Sequence, residues 1–235
     1  MKFEVYPELF QALPQACFGV VAVKGVDNTK TSSKIEALLA ENIQKCEEKY
    51  NGKKVKDQPE ILPYREAFRT LGINPNKFMC SIEALLTRIA KGKGFPHINT
   101  VVDLGNAVSI QYDLPIGAHD MDTVPEALCV RAAKEGDHFP PFGSDQTETP
   151  DLGEIVYVSG EEVRTRRWTW RQSEIGKITE KTQNLLFPID GFTDVNKETV
   201  LEARDLLAKL LEETFNCQVV TGFVDKDSPV FTCDL

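Results

Sequence analysis

The sequence predicts a mixed α+β fold for this chain of 235 residues. Apolar residues recur at helical spacing in the first half, and short apolar strands punctuated by glycine and proline fill the middle. A long amphipathic segment followed by one more strand completes the pattern. Because helices and strands are grouped rather than alternating, α+β is favoured over a parallel α/β sheet. We see no internal repeat or clear linker, so we expect a single domain over residues 1–235.

The first half starts with a strand and continues with helices. The run at 18–26 (FGVVAVKGV) is apolar almost throughout, which is typical of a strand covered on both faces. Ser33 and Glu36 have the capping-box spacing, and apolar residues follow at helical spacing as far as Tyr50. Further helices are predicted over residues 59–71, 75–92 (or 81–92) and 99–112.

The second half changes character after Pro115. Glycine and proline punctuate the gaps between short apolar or alternating segments, as at 139–143 (FPPFG). Strands are predicted over residues 128–132, 154–158, 163–171 and 219–224, and a helix over 197–215.

Charge limits the partners that the chain attracts. The net charge is −9, so the protein as a whole does not steer nucleic acid towards itself. Any contact with RNA must come from a local basic patch, and we expect no DNA partner.

Cysteine usage and hydropathy predict a cytoplasmic protein. The six cysteines form no C-x-x-C pair, and several lie inside apolar stretches, so we expect reduced core thiols. The three histidines lack zinc-site spacing with any cysteine pair, which argues against a metal site. No apolar run is long enough to cross a membrane, the N-terminus lacks a secretory signal pattern, and no cofactor motif occurs.

A basic aromatic segment is the first candidate for function, at 163–172 (VRTRRWTWRQ). As one strand it would place Arg164, Arg166, Trp168 and Trp170 on one face and Thr165, Arg167, Thr169 and Arg171 on the other. Guanidinium groups pair with phosphates and indoles stack on bases, and Lys177 extends the charge. The spacing alone favours another interpretation, in which the tryptophans are core and the arginines pair with acids such as Glu161 and Glu162.

Two further segments carry polar groups in apolar surroundings. At 114–122 (LPIGAHDMD), His119 could act as an acid or base near neutral pH. The simpler interpretation is a turn in which Asp120 and Asp122 cap backbone amides. Asp190 lies within an apolar strand, where a carboxylate must be hydrogen-bonded, cap a turn or serve a function. Both structural and functional uses remain open for it.

Four motifs, taken in order, resemble the B3/B4 region of phenylalanyl-tRNA synthetase β-chains. They are 98–106 (INTVVDLGN), 114–120 (LPIGAHD), 130–136 (VRAAKEG) and 178–186 (ITEKTQNLL). The similarity covers residues 81–192 approximately, with a strand and helices before it and a helix and strand after it. It implies a β-sandwich-like core with helices packed on it, and a pocket for the aminoacyl end of tRNA.

In that family the pocket hydrolyses tyrosine wrongly attached to phenylalanine tRNA. We therefore expect tRNA or aminoacyl-tRNA as the partner, with His119 and Asp120 orienting water or the ester. Substrate contacts are expected from Asn106, Thr182 and Asp190. RNA contacts are expected from Arg164, Arg166, Arg167, Trp168, Arg171 and Lys177. No cofactor is expected.

The departures from the family pattern keep the activity open. The family's histidine falls on Gly117, and its glutamate falls on Phe187 or Pro188, with Asp190 as a substitute after a small register change. A trans-acting aminoacyl-tRNA hydrolase is the first hypothesis. A non-catalytic binding module for tRNA or an amino acid is the second, and an unrelated small-molecule enzyme that reuses the pocket is the third. The chain has no counterpart of the synthetase's activation domains, so a complete phenylalanine–tRNA ligase is not expected.

Overall fold

The computed structural model describes residues 1–144 and 146–235. Its helices are α1 (Pro7–Ala12), α2 (Ser33–Tyr50), α3 (Leu62–Thr70), α4 (Ser81–Ala90), α5 (Thr100–Tyr112) and α6 (Lys197–Phe215). Its strands are β1 (Lys2–Val5), β2 (Ala16–Lys24), β3 (His119–Asp120), β4 (Leu128–Ala132), β5 (Ile155–Ser159), β6 (Glu162–Arg166), β7 (Arg171–Gln172), β8 (Asn184–Phe192), β9 (Gln218–Val224) and β10 (Val230–Thr232).

The strands form two sheets that pack on each other. A six-stranded sheet has the order β10-β1-β4-β5-β6-β7, and a four-stranded sheet has the order β3-β8-β2-β9. All named pairings are antiparallel except β1 with β4. The ring of Phe3 on β1 meets that of Phe18 on β2 at 5.6 Å between centroids. The predicted α+β class, with a sandwich-like core, is confirmed.

Helices α5 and α6 cover the other face of the four-stranded sheet. A Cβ atom at Gly105 of α5 would lie 3.3 Å from the ring of Phe187, and one at Gly19 of β2 would lie 3.0 Å from Val200 of α6. Since side chains alternate along a strand, Phe187 on β8 faces the helices whereas Asp190 faces the six-stranded sheet. The chain is thus layered as sheet, sheet, helix, and β8 lies at its centre.

The cap of α2 lies one residue earlier than the sequence predicts. The Ser32 side chain accepts a hydrogen bond from the Ile35 amide at 3.4 Å, and Ser33 is the first helical residue. Asn99 caps α5 in the same way, accepting from the Val102 amide at 3.0 Å. The predicted helix over 59–71 is shorter, because α3 spans Leu62–Thr70.

Substituting Ser32 with alanine is expected to lower the free energy of unfolding by about 0.5–1 kcal/mol, because the Ile35 amide loses its acceptor. Ser33→Ala is the matched control and should change stability by less, since alanine is favoured inside a helix. Urea unfolding of both variants measures the difference. A larger loss for Ser33→Ala would place the cap at Ser33 instead.

The predicted strand over 163–171 is wrong, because the chain reverses within it. Strand β6 ends at Arg166, and Arg167 and Trp168 have φ values of 46° and 58°, in the left-handed region. The Trp168 amide donates to the Ile155 carbonyl at 2.6 Å. Strand β7 then pairs back on β6, with Arg166 opposite Arg171. The alternation of faces predicted for this segment therefore fails after Arg166.

Several short elements were not predicted, namely β1, α1, β3 and β10. The six cysteines are free thiols, and burial raises the pKa of Cys17, Cys46 and Cys80 to about 12. Within the ranges described, the chain forms no helix of the length and apolarity that crossing a membrane requires.

Candidate functional site at the sheet edges

The edge strands of the two sheets meet, and the candidate site lies at this junction. The Gln172 side-chain amide, on β7, donates to the Ala118 carbonyl beside β3 at 2.7 Å. The segment 115–117 runs along β8, since the Gly117 amide donates to the Pro188 carbonyl and the Asp190 amide to the Pro115 carbonyl, both at 3.0 Å. Two clefts open on either side of this segment.

We call them the Asp190 cleft and the Asn106 cleft. The Asp190 cleft, of about 80 Å³, is walled by His119, Tyr157, Trp168, Trp170 and Arg171 together with Asp190. The Asn106 cleft, of about 110 Å³, includes Asn106, Lys177, Phe187, Ile98 and Phe142. Both clefts share Ile116, Gly117 and Gln172. They are therefore neighbouring compartments separated by the 116–117 backbone.

Asp190 is the buried carboxyl group of the first cleft, with only 2% of its surface exposed. Its Oδ1 accepts hydrogen bonds from the Tyr157 hydroxyl at 2.6 Å and the Trp168 indole at 2.7 Å. Burial raises the pKa of Asp190 to about 7, although both donors act to lower it. The carboxyl group can therefore exist with or without its proton at neutral pH.

His119 is a neutral imidazole in the same cleft. Its ring is buried and stacks on that of Tyr157, with centroids 5.3 Å apart. Burial, helped by the Arg164 charge, lowers the pKa of His119 to about 3. Proton exchange by this ring near neutral pH is therefore not expected, because burial disfavours the charged form.

The ring of His119 is expected to stay neutral from pH 5 to 8. Its imidazole resonances, followed by NMR, should hold constant chemical shifts over that range. In urea-unfolded protein the same ring should titrate near its ordinary pKa of about 6.5. A folded-state midpoint between pH 6 and 7 would show that the imidazole is accessible to water and would remove this assignment.

Asp120 and Thr182 bind each other rather than a cleft. Oδ2 of Asp120 accepts from the Thr182 hydroxyl at 2.8 Å, and Oδ1 accepts from the Asp122 amide at 2.9 Å. Burial raises the pKa of Asp120. Neither side chain lines either cleft, so the structure does not bring them to the other predicted site residues. They fasten the turn after β3 to the segment that leads into β8.

Three of the expected RNA contacts are buried. Arg164 donates to the Thr123 hydroxyl at 2.8 Å and the Thr123 carbonyl at 2.9 Å, and it pairs with Glu162. Arg166 is clamped by glutamates, and Trp168 is fully buried. Their predicted surface contacts with RNA are contradicted, because RNA cannot reach enclosed side chains that already have partners.

The remaining expected RNA contacts lie at or near the surface. Arg171 is 39% exposed at the Asp190 cleft, and Lys177 is 38% exposed at the Asn106 cleft beside the ring of Phe142. Arg167 is mostly covered, lies 4.0 Å from the Phe78 ring centroid and pairs with Asp151. Only Arg171 and Lys177 therefore combine exposure with a position on a cleft.

Sequence reasoning missed Tyr157 and Gln172. Tyr157 belongs to the opposite sheet, so its contact with Asp190 depends on how the sheets pack, and no local signal predicts it. The family's glutamate is expected at Phe187 or Pro188, and Phe187 faces α5, on the opposite side of β8 from Asp190. Substitution by the Asp190 carboxyl after a small register change therefore requires the Pro188 alignment, because Pro188 and Asp190 share one face of β8.

Two packed sheets, helices on one outer face and paired clefts at the sheet edges define an α+β domain with an edge pocket. The family model for the B3/4 domain matches residues 63–216, and the chain belongs to this family. The match begins earlier and ends later than the similarity predicted over residues 81–192, and it includes α3 and α6.

The curated relatives are β-subunits of phenylalanine–tRNA ligase. That of Staphylococcus haemolyticus is 25% identical over 173 residues, and that of Streptococcus thermophilus is 27% identical over 165 residues. These alignments cover 72% and 61% of this chain but only 20% and 21% of the relatives. The chain thus spans about a fifth of the length of the relatives that it matches. A solved N-terminal fragment of the phenylalanyl-tRNA synthetase β-subunit from Pyrococcus horikoshii is similar over 92% of this chain and 50% of the fragment, with 12% identity and a TM-score of 0.46.

Proposed function

We propose that this domain binds the aminoacyl end of tRNA in the cytoplasm and hydrolyses the ester of a mischarged aminoacyl-tRNA. The observation that carries the proposal is the pair of clefts that meet at Gly117. The terminal nucleotide would lie in the Asn106 cleft, and the amino-acid side chain would enter the Asp190 cleft. The ester would then lie over Gly117, between the two.

The Asn106 cleft has the features that a nucleotide requires. Its mouth is flanked by Ile98 and Phe142, which are 59% and 54% exposed and could contact a base or ribose. Lys177 lines the cleft and pairs with Glu174, and the Asn106 side chain takes part in none of the hydrogen bonds found among the described residues. Its amide is therefore available to a ligand.

Gly117 leaves open the passage between the clefts. A Cβ atom at this position would lie 3.0 Å from Nε2 of His119 and 3.3 Å from Cγ of Pro188. Any other residue would thus place a side chain between the two clefts and narrow the passage in which the ester would lie. The imidazole of His119 occupies the space into which a side chain at position 117 would project.

Hydrolysis of an activated ester demands little from the protein. A held water attacks the carbonyl carbon, the bond from that carbon to the ribose oxygen breaks, and the ribose oxygen takes up a proton. The Asn106 amide is the cleft donor that can stabilise the developing oxyanion, and the Lys177 ammonium group, which uses one donor on Glu174, has two more to offer. Positioning of the ester and water contributes the rest.

The test is deacylation of purified mischarged tRNAs, including Tyr-tRNA(Phe), with Phe-tRNA(Phe) as the correctly charged comparison. We expect hydrolysis above a heat-killed control, and a loss of at least about tenfold in Gly117→Ala, in which the passage is narrowed. Ser33→Ala, at an exposed position of α2 that lines neither cleft, is the control. Absence of deacylation with every substrate would remove the hydrolase proposal.

A non-catalytic binding module is the second candidate. It is favoured by the neutral imidazole of His119, by Gly117 at the family's histidine position and by Phe187 or Pro188 at the family's glutamate position. It predicts saturable tRNA binding that weakens steeply with salt, without turnover. Binding of charged and uncharged tRNA at two salt concentrations, measured beside the deacylation assay, separates the two candidates.

A further inference from the structure

We propose that the Asp190 cleft selects a short side chain that carries a hydroxyl group, that of threonine or serine, on the ester that the domain binds. The inference rests on the proposed function and specifies its substrate class. It follows from the size of the cleft and from the hydrogen-bonding groups that its walls leave unpaired.

Size is the first argument. A cavity of about 150 Å³ accommodates benzene, whereas a water molecule takes about 30 Å³ of the liquid. The Asp190 cleft, at about 80 Å³, is about half the size of that benzene-binding cavity. A short side chain such as that of threonine therefore fills it better than a phenol ring does.

The protonated nitrogen of His119 is the second argument. Nδ1 of this neutral ring is fully buried, without a partner in the described part of the chain. A neutral imidazole has one donor and one acceptor nitrogen, and an unpaired buried N–H group is costly. The proton is therefore on Nε2, which lies next to Gly117 in the cleft wall. His119 thus presents a hydrogen-bond donor to a ligand.

Asp190 provides the matching acceptor. Its Oδ1 is occupied by the Tyr157 hydroxyl and the Trp168 indole. Both side-chain hydrogen bonds that the carboxyl group accepts from the described residues fall on Oδ1, which leaves Oδ2 for a ligand in the cleft that the group lines. The cleft therefore contains one fixed donor and one acceptor between the apolar surfaces of Trp168, Trp170 and Ile116.

A hydroxyl group satisfies both at once, because it donates to Asp190 and accepts from His119. An ammonium group cannot accept a hydrogen bond from His119, and the positive charge of Arg171, which also lines the cleft, would repel it. A carboxylate would meet the Asp190 carboxylate. A methyl group, as in valine, would leave both polar groups unpaired, and sites that hydrogen-bond a hydroxyl discriminate strongly against analogues that lack it.

The Asn106 cleft lies on the opposite face of β8 from Asp190, where the buried ring of Phe187 packs against Gly105. Its polar groups, Asn106 and Lys177, are those assigned to the terminal nucleotide. Selection of the side-chain hydroxyl is therefore assigned to Asp190.

The experiment compares threonyl, seryl, valyl, alanyl and tyrosyl esters of one tRNA, so that only the amino acid differs. We expect kcat/KM for the threonyl ester to exceed that for the valyl ester by at least about 100-fold. The same order is expected for seryl over alanyl, with tyrosyl hydrolysed slowest. In Asp190→Asn the amide oxygen must accept from Tyr157 and Trp168, so its NH₂ group would face the ligand. This change should abolish the preference for threonyl over valyl, while the protein stays folded, because the amide oxygen remains an acceptor for Tyr157 and Trp168.

Failure of this inference can be distinguished from failure of the proposed function. If the protein hydrolyses tyrosyl or valyl esters as fast as threonyl, the proposed function stands and the hydroxyl assignment is overturned. If no ester is hydrolysed, calorimetry with 3′-threonylamino- and 3′-valylamino-3′-deoxyadenosine decides, because these amides resist hydrolysis. Tighter binding of the threonyl compound supports the assignment, and equal affinity or no binding of either overturns it.

Discussion

Replacing Asp190 with leucine is expected to lower the free energy of unfolding by about 2–6 kcal/mol at pH 5. The Tyr157 hydroxyl and the Trp168 indole would lose their shared acceptor inside the core, and each unsatisfied buried donor costs about 1–3 kcal/mol. These two donors come from β5 and from the turn after β6, so the loss affects the contact between the two sheets. Urea unfolding followed by tryptophan fluorescence measures the change.

Asp190→Asn is the matched control. The amide keeps an oxygen acceptor of similar position and removes the ionisable group, so its stability at pH 5 should lie close to that of the unmodified protein. If Asp190→Asn loses as much stability as Asp190→Leu, the shared acceptor is not what stabilises this region.

The unmodified protein and Asp190→Asn together test how the free energy of unfolding depends on pH. The pKa of Asp190 is about 7 in the folded chain, against an ordinary value of 3.8. Between these values the folded state holds the proton more strongly than the unfolded state, so stability falls as pH rises from about 4 to 7 and then levels off. A shift of about three units corresponds to at most about 4 kcal/mol. Asp190→Asn should lack this slope, and an identical slope in both proteins would assign it to other groups.

Elements with strong local patterns are the ones that the sequence predicts well. Helix α6 coincides with the predicted range 197–215, and β4 with 128–132. Amphipathic spacing predicts the helix, and a short apolar run predicts the strand. The short strands β1, β3 and β10 lack such a pattern. Their hydrogen bonds go to strands distant in sequence, so only the tertiary fold defines them.

The turn at Arg167 and Trp168 shows why part of the site escaped prediction. Two consecutive non-glycine residues rarely adopt left-handed backbone, and sequence alone favours a continuous strand. The folded chain accepts the turn because it buries the Trp168 ring completely and brings its indole to Asp190. The apolar context of Asp190 did predict that its carboxyl group needs a partner, but the identity of that partner depends on how the two sheets pack.

Replacing Arg166 and replacing Arg171 are expected to have very different effects, although the sequence predicts an RNA contact for both. Arg166→Met should cost about 3–5 kcal/mol, because it leaves the buried Glu154 carboxylate without the guanidinium group that binds both of its oxygens, at 2.8 and 2.9 Å. Arg171→Met should cost less than about 1 kcal/mol, since its ion pair with Glu148 is solvent-exposed and 3.7 Å long. Urea unfolding of the two variants gives the comparison.

Adding Glu154→Gln to Arg166→Met should recover part of the lost stability, because the charge left in the core is then removed.

For tRNA affinity the two substitutions should rank in the opposite order. Arg171→Met is expected to weaken binding and to reduce the salt dependence by about one phosphate contact, whereas Arg166→Met, assayed below its melting temperature, should bind like the unmodified protein. Equal effects of the two substitutions on tRNA affinity would mean that the segment contacts RNA as a continuous strand, which the turn at Arg167 and Trp168 excludes. The contrast therefore tests whether the four arginines of this segment divide into those that build the fold and one that meets the ligand.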